Sequence, residues 1–439
     1  MTNKDFKFVD LFAGIGGFHQ ALEQEGGQCV MAVELDKNCQ KVYQELFKAS
    51  DHKLVSNIRD LTLLDDGTLR PLDELSNLVP DHDMLCGGFP CQPFSKAGKQ
   101  LGVEDTTRGT LFFDIVRIIL AKKPKFILLE NVKNLVSMRH TNTWLTILKT
   151  LEDAGYSVSN APQIMSPHKF SKAEGGSPQL RERVFIMAVR HDGEQVAPPS
   201  LDLPDFYGYG EKGWSLEDIL DEDETIPNIE NYRLSGDRLA WFNAWQAFTE
   251  GVEAETLPGF PIWVDAFKET PDTDPDISRW KQNFLNKNSE FYNSNKAFID
   301  TWLKVEWGDS GTVLEFPPSR RKFEWQAGQT QTTRQERDME KLLVSFRASG
   351  VRVKSPSHSP ALTATASDGV WVGSRKRKLT PKECARLQGM DADRFNAAIK
   401  SSGVSDSTAY KQLGNAVNVG VVKIAVRSLM KTNNTGETK

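Results

Sequence analysis

The sequence predicts a doubly wound, Rossmann-like α/β domain into which a second, irregular domain is inserted. Three observations predict it. Short apolar runs alternate with longer amphipathic stretches from Phe6 to about Arg190; a glycine-rich turn closes the first of those runs; and the alternation stops after Arg190, returning only near Leu379.

Taken in order, Phe8 to Phe12 reads as a first strand and Phe18 to Glu25 as the helix after it. Cys29 to Leu35 and Lys37 to Phe47 repeat the pair. Met84 to Cys86 is the next strand, followed by a helix around Leu111 to Ala121, a strand at Phe126 to Leu129, a helix around Trp144 to Ala154, and a last strand at Val184 to Val189. Beyond Arg190, Pro198, Pro199, Pro204, Pro258, Pro261, Pro317 and Pro318 punctuate a tryptophan-bearing stretch with no βα repeat. Helical patterning resumes at Thr380, where threonine suits a cap and Pro381 the first turn, and again from Asn415 to Met430. Residues 1–190 and 379–439 are therefore expected to form one discontinuous domain, and residues 191–378 the other.

The bulk numbers bound the function. A chain of 439 residues with 39% hydrophobic content can bury a large domain and a second unit. It has no run of about 18 uncharged apolar residues, and its start, MTNKDFKFVD, lacks the basic-then-apolar pattern of a secretory signal. A cytoplasmic protein off the membrane is expected. The cysteines Cys29, Cys39, Cys86, Cys91 and Cys384 are odd in number and scattered without paired Cys-x-x-Cys spacing, which speaks against a disulfide framework and against a zinc or other metal site. The net charge of −5 hides an asymmetry: acids crowd Leu216 to Glu230, whereas Arg320-Arg321-Lys322 and Arg375-Lys376-Arg377-Lys378 are basic runs that permit a nucleic-acid partner.

Asp10-Leu11-Phe12-Ala13-Gly14-Ile15-Gly16-Gly17-Phe18 places glycines where the first strand turns into the first helix, so backbone can approach a ligand there. Glu34, at the end of the second apolar run, suits both hydroxyls of a ribose. The spacing is neither the Gly-x-Gly-x-x-Gly of dinucleotide folds nor a triphosphate loop ending in Gly-Lys-Ser/Thr. S-adenosylmethionine, which has a ribose and no phosphate, fits such a loop.

Gly87-Gly88-Phe89-Pro90-Cys91-Gln92-Pro93-Phe94-Ser95 follows an apolar strand and opens a loop that runs to Gly109. A cysteine at a strand end sits where α/β enzymes carry out chemistry. Cys29, Cys39, Cys86 and Cys384 lie within strand or helix patterns and read as core. Glu130 ends an almost wholly apolar strand, so its carboxylate must be partnered, partly exposed or protonated. In Gln179-Leu180-Arg181-Glu182-Arg183, alternation puts Gln179, Arg181 and Arg183 on one face, where the arginines could hold phosphate, Glu130 or a base carbonyl.

These segments resemble the bacterial DNA cytosine-5 methyltransferases. The resemblance runs in order through DLFAGIGGF, VELD, GGFPCQPFS, GTLFFDIVRII, ENV, QLRERVFI, LTPKECARLQGM and YKQLGNAVNV, covering Phe8 to Val189 and Leu379 to Val422. It implies an S-adenosylmethionine-dependent enzyme that methylates carbon 5 of a cytosine flipped out of double-stranded DNA, in a restriction-modification system beside a separately encoded endonuclease or as an orphan, and as a monomer. It implies that Cys91 is the nucleophile, that Glu130 supports ring nitrogen 3 and the amino group, and that Arg183, with Arg181 beside it, contacts the base. Phe12, Gly14, Gly16, Glu34, Phe89, Pro90, Asn415 and Val417 match cofactor positions. Ser56-Asn57-Ile58 stands where the family has Gly-Asp-Ile, so Asn57 takes the adenine contact, with Asp60 as the other candidate.

The chemistry explains the set. Carbon 5 of cytosine is a poor nucleophile until a thiolate adds at carbon 6, and the charge that moves to nitrogen 3 then needs a proton donor nearby. The resemblance further implies that residues 191–378 recognise the target sequence. Their Arg233, Arg238, Arg320, Arg321, Arg334, Arg337, Arg347 and Arg352 are available to phosphates and guanine edges, and Phe346 to Lys354 is the preferred base-reading stretch, a solvated amphipathic strand being the other reading. The competing functions are an RNA cytosine-5 methyltransferase, a DNA-binding module with lost catalysis, and a thiol-redox protein.

Overall fold

The computed structural model describes residues 6–90, 111–159, 161–193, 196–201, 203, 211–254, 257–273, 276–325, 336–364 and 369–431. They belong to two compact units: Met1–Ile219 with Pro360–Thr365 and Pro381–Lys439, and Leu220–Ser359 with Ala366–Thr380.

The first unit is built on strands β1 (Phe6–Leu11), β2 (Gly27–Val33), β3 (Lys53–Val55), β4 (Met84–Gly88), β5 (Phe126–Val132), β6 (Tyr156–Val158), β7 (Gln163–Met165) and β9 (Arg183–Arg190), with the two-residue β8 (Gln179–Leu180) outside that sheet. Its order is β3-β2-β1-β4-β5-β9-β6, with β7 also on β9. Strands β1 to β5 are parallel neighbours. β9 runs antiparallel to β5, because the chain reaches it through the antiparallel β7 rather than through a crossover helix. The expected doubly wound α/β fold is present, with this reversed strand as its departure from an all-parallel sheet.

Helices α1 (Gly17–Gln24), α2 (Lys37–Leu46), α5 (Leu111–Lys122) and α6 (Thr141–Asp153) follow the strands as the periodicity predicts, whereas the short α3 (Ile58–Thr62) and α4 (Leu72–Leu78), like β3, fall in a stretch for which no element was expected. On one sheet face, Val9, Leu11, Ile127, Leu129 and Ile186 form a continuous core with Phe112, Ile115 and Ile119 of α5 and Ile147 and Leu151 of α6. Such burial is the main driving force for the fold, at roughly 25 cal/mol per Å² of apolar surface. The returning segment forms α10 (Pro381–Leu387), α11 (Ala392–Ser402), α12 (Asp406–Asn415) and α13 (Val419–Lys431). α13 packs against α1, β5 and β9. The stretch Asp406–Lys431 is long and apolar enough to cross a membrane, but it breaks into α12 and α13 and is mostly buried in the protein.

The crossing between units lies later than the proline pattern suggested. Residues after Arg190 remain with the first unit, where the Ser157 hydroxyl donates to the Val196 carbonyl at 2.9 Å, Ser159 donates to that of Pro199 at 2.6 Å, and the Trp214 indole N–H donates to that of Phe170 at 2.8 Å.

The second unit is less irregular than its sequence. Helices α7 (Gly236–Gly251), α8 (Arg279–Ser294) and α9 (Lys296–Trp302) accompany strands β10 (Ile262–Trp263), β11 (Lys322–Trp325), β12 (Leu343–Arg347), β13 (Gly350–Lys354), β15 (Trp371–Val372) and β16 (Arg377–Lys378), in the sheet order β10-β11-β13-β12-β15-β16; β14 (Ser359–Pro360) stands outside it. Strands of two to five residues are too short to show a period, and their core is aromatic: Trp245 stacks on Phe323 with ring centroids 4.5 Å apart.

Candidate active site

Strand order reverses at β1, which pairs with β2 on one side and β4 on the other, and in open α/β sheets ligands bind beyond the strand ends at such a point. A cavity of about 430 Å³ opens there, lined among others by Phe12, Gly14, Glu34, Phe89, Pro90, Glu130, Arg181, Arg183, Asn415 and Val417. The structure thus gathers onto one cavity residues that the sequence scatters over more than 400 positions.

The turn after β1 is held in an unusual conformation. Phe12 adopts φ +58°, sparsely allowed for a residue with a side chain, and Gly14 follows at +56°. Glu34 fixes this turn: its Oε2 accepts from the Gly14 N–H at 2.8 Å and its Oε1 from the Asp36 N–H at 2.7 Å. Burial raises the Glu34 carboxyl above its ordinary range, and those two backbone donors oppose the rise.

Two expected cofactor residues stand off the cavity. Gly16 shapes the turn from beneath, at φ +80°, where a Cβ would lie 2.2 Å from the Phe47 ring. Asn57 caps α3, its Oδ1 accepting from the Arg59 N–H at 3.1 Å, so the carbonyl expected for adenine is engaged locally.

Glu130 lies near the C-terminal end of β5, opposite Gly88 of β4, and is 8% exposed. Arg183 meets it from β9, Nε to Oε1 at 2.9 Å. Burial raises the Glu130 carboxyl, and Arg183 and then Arg181 pull it back down. The two arginines divide their tasks. Arg181 is 2% exposed and donates to the carbonyls of Leu362 at 3.0 Å, Gly414 at 2.9 Å and Ala416 at 2.7 Å. Burial pushes its guanidinium down to about 9, so it remains charged at neutral pH. Its terminal nitrogens hold the cavity wall at 414–416, a positioning task that the alternation of the motif did not reveal.

Cys91 lies outside the described residues; Phe89 and Pro90, which lead into it, line the cavity. Asn131 donates through Nδ2 to the Phe89 carbonyl at 2.9 Å, tying the end of β5 to the start of that loop. Cys29, Cys86 and Cys384 are buried, whereas Cys39 is half-buried and lines the cavity, a position that its helical pattern concealed. Asp36, Asn131 and Gln412 also line it and were not singled out in the sequence.

The match to known proteins agrees with this geometry. Residues 6–431 match the family described as C-5 cytosine-specific DNA methylase. The chain belongs to that family. This methylase is 35% identical to the Type II methyltransferase M.AluI of Cellulosimicrobium cellulans, over 97% of its own length and 92% of the relative's, and 37% identical to M.NlaX of Neisseria lactamica, over 97% and 96%. It shares its fold with the solved structure of a prophage-encoded protein of Escherichia coli, described as a candidate DNA modification methyltransferase, at a TM-score of 0.51 and 16% identity over 98% of this chain and 100% of the other. As a C-5 cytosine-specific DNA methylase it takes its methyl group from S-adenosylmethionine. The cavity fits that molecule: an acid at the end of β2 for a ribose, a phosphate-free glycine turn, and a volume suited to a small ligand.

Proposed function

We propose that this methylase forms a covalent adduct between Cys91 and carbon 6 of a cytosine flipped out of double-stranded DNA, and methylates carbon 5 within a short specific sequence. The observation that carries the reading is that one cavity is lined both by the glycine turn with Glu34 and by Glu130, Arg183 and the Phe89-Pro90 lead into Cys91. Phe12, Gly14, Glu34, Asn415 and Val417 would hold the cofactor, which supplies an electrophilic sulfonium methyl group when bound.

The roles of the chain's own groups follow from their surroundings. Addition of the Cys91 thiolate at carbon 6 sends electron density to nitrogen 3, where protonated Glu130 donates a hydrogen bond; burial favours that protonated form. Carbon 5 gains the methyl group as the bond from that methyl to the sulfonium sulfur breaks, then loses its proton to solvent, and the carbon–sulfur bond to Cys91 breaks, restoring the aromatic ring and the thiolate. Arg183 orients Glu130 and limits the rise of its pKa, and Arg181 acts on the wall rather than on the base.

The second unit is proposed to read the target. The expected Phe346–Lys354 stretch forms the β12–β13 hairpin, with Phe346, Val351 and Val353 inward. Lys322, Arg347, Arg352 and Lys354 occupy the other face around a single acid of the paired strands, Glu324, which binds Arg352 at 2.5 Å. Burial chiefly, and then Arg347 and Arg352, lower the Lys354 pKa; the two arginines add a positive field that phosphate would relieve. The run Arg375–Lys378 is engaged within its own unit instead: fully buried Arg377 pairs with Asp223 at 2.7 Å, Arg375 with Glu222 at 3.6 Å and Lys376 with Glu340 at 2.6 Å. Given its Type II relatives, we assign the chain to the modification half of a restriction-modification system, acting as a monomer in the cytoplasm.

The test is bisulfite sequencing of duplex DNA and of RNA treated with the purified chain and S-adenosylmethionine, alongside trapping on DNA containing 5-fluorocytosine. A single methylated DNA motif and a trapped complex lost in Cys91→Ser are expected. Methylation confined to RNA, or wild-type turnover by Cys91→Ser, overturns the reading.

A further inference from the structure

Gln412 sits near the end of α12, is 4% exposed and lines the cavity. Among the described residues, neither its Oε1 nor its Nε2 has a hydrogen-bond partner of normal geometry. Its polar neighbour is the Cys39 thiol, a weak hydrogen-bonding group. Buried amides are almost always satisfied, and one with donor and acceptor both unmet is costly.

The side chain has little room to escape. The segment after it is pinned by Arg181 at the Gly414 and Ala416 carbonyls, and the Leu413 carbonyl accepts from Gln388 Nε2 at 2.7 Å. The amide is therefore held at the cavity with its polar atoms unused, on a lining that includes Glu34, Asp36 and Cys39.

We infer that Gln412 is a further binding residue of this cavity, exchanging hydrogen bonds with the ribose hydroxyls of S-adenosylmethionine beside Glu34. The inference rests on the cofactor reading given above. Complementarity selects the group. A carboxylate only accepts and an ammonium only donates, so either would leave half of the amide unmet; a vicinal diol does both. Glu34 already accepts from two backbone N–H groups and has lone pairs left for a hydroxyl. That hydroxyl can in turn accept from Gln412 Nε2, while its neighbour donates to Oε1.

The experiment is calorimetric binding of S-adenosylhomocysteine, and of its 2′-deoxy and 3′-deoxy counterparts, to the full chain and to Gln412→Met, with Glu34→Ala as reference. Gln412→Met should weaken S-adenosylhomocysteine about 5- to 30-fold while weakening at least one deoxy ligand much less. Its ligand-free melting temperature should equal or exceed that of wild type, because an apolar group replaces an unmet amide. If the methionine variant does not fold, Gln412→Glu, which keeps shape and acceptor but loses the donor, should show the same selective loss. Unchanged affinity in these variants with binding lost in Glu34→Ala overturns the inference and leaves the cofactor site standing. Equal losses for all three ligands also overturn it. If Glu34→Ala binds as wild type too, the cofactor reading falls with it.

Discussion

Arg183 and Glu130 meet diagonally across two antiparallel strands, Arg183 standing opposite Val132 and Glu130 opposite Phe185, with Nε 2.9 Å from Oε1. A buried acid is thereby held between two influences, burial that favours its neutral form and a cation that favours its charged form. Because its folded pKa is raised, the folded chain binds that proton more tightly than the unfolded one. The group's contribution to stability is greatest at low pH and falls away as pH rises through the folded value.

Removing the cation should therefore push Glu130 further up. In Arg183→Met, the descending limb of kcat/KM against pH is expected to move to higher pH than in wild type, and kcat to fall about 10²-fold. Glu130→Ala should lower kcat by about 10²- to 10⁴-fold with cofactor affinity nearly unchanged. A descending limb that stays in place in Arg183→Met would mean that another group titrates.

Arg181 holds three carbonyls from a buried position, so its loss acts on structure first. Arg181→Met is expected to cost roughly 3 kcal/mol, lowering the melting temperature by several degrees, and to weaken cofactor binding through the released 414–416 wall. Calorimetric melting checks this, and a variant as stable as wild type would return Arg181 to the base-contacting role.

Asn131 anchors the residue two positions before Cys91 through the Phe89 carbonyl. Displacing a reacting group by about 1 Å can cost about 10²-fold in rate. Asn131→Ala should lower single-turnover methylation 10- to 100-fold on that scale, with binding of S-adenosylhomocysteine preserved. Equal loss of both would show general unfolding of the site instead.

If the β12–β13 face holds the duplex, neutralising Lys354 removes about one phosphate contact. The slope of log K against log salt should then become shallower by about one for Lys354→Gln. Asp223→Asn, which acts on the internal pair with Arg377, should change melting and leave that slope alone. An unchanged slope in Lys354→Gln would move the DNA contact elsewhere.

Much of the site was legible because its parts are local. An apolar run that meets a carboxylate, as Phe126 to Glu130 does, and a glycine turn after an apolar run, as at Gly14, announce themselves through spacing alone. Roles that depend on what lies opposite were not legible. Nothing in Gln-x-Arg-x-Arg alternation tells that Arg183 reaches Glu130 while Arg181 reaches backbone carbonyls of a segment more than 200 residues away. Cys39 read as core because its helix is amphipathic, yet the cavity borders that helix. The basic run at 375–378 looked available for DNA until Asp223, Glu222 and Glu340 were found beside it.

By itself, the sequence determined the α/β alternation, the family and the motif residues from which most of the cavity lining is drawn, since periodicity and motif order are properties of neighbours along the chain. Only the tertiary structure decided which of those residues face the ligand, which brace the wall, and that Gln412 arrives at the cavity with its amide unspent. Hydrogen bonds and burial belong to whatever the fold brings into contact, and here α12 comes to the first two strands' turns from the far end of the chain.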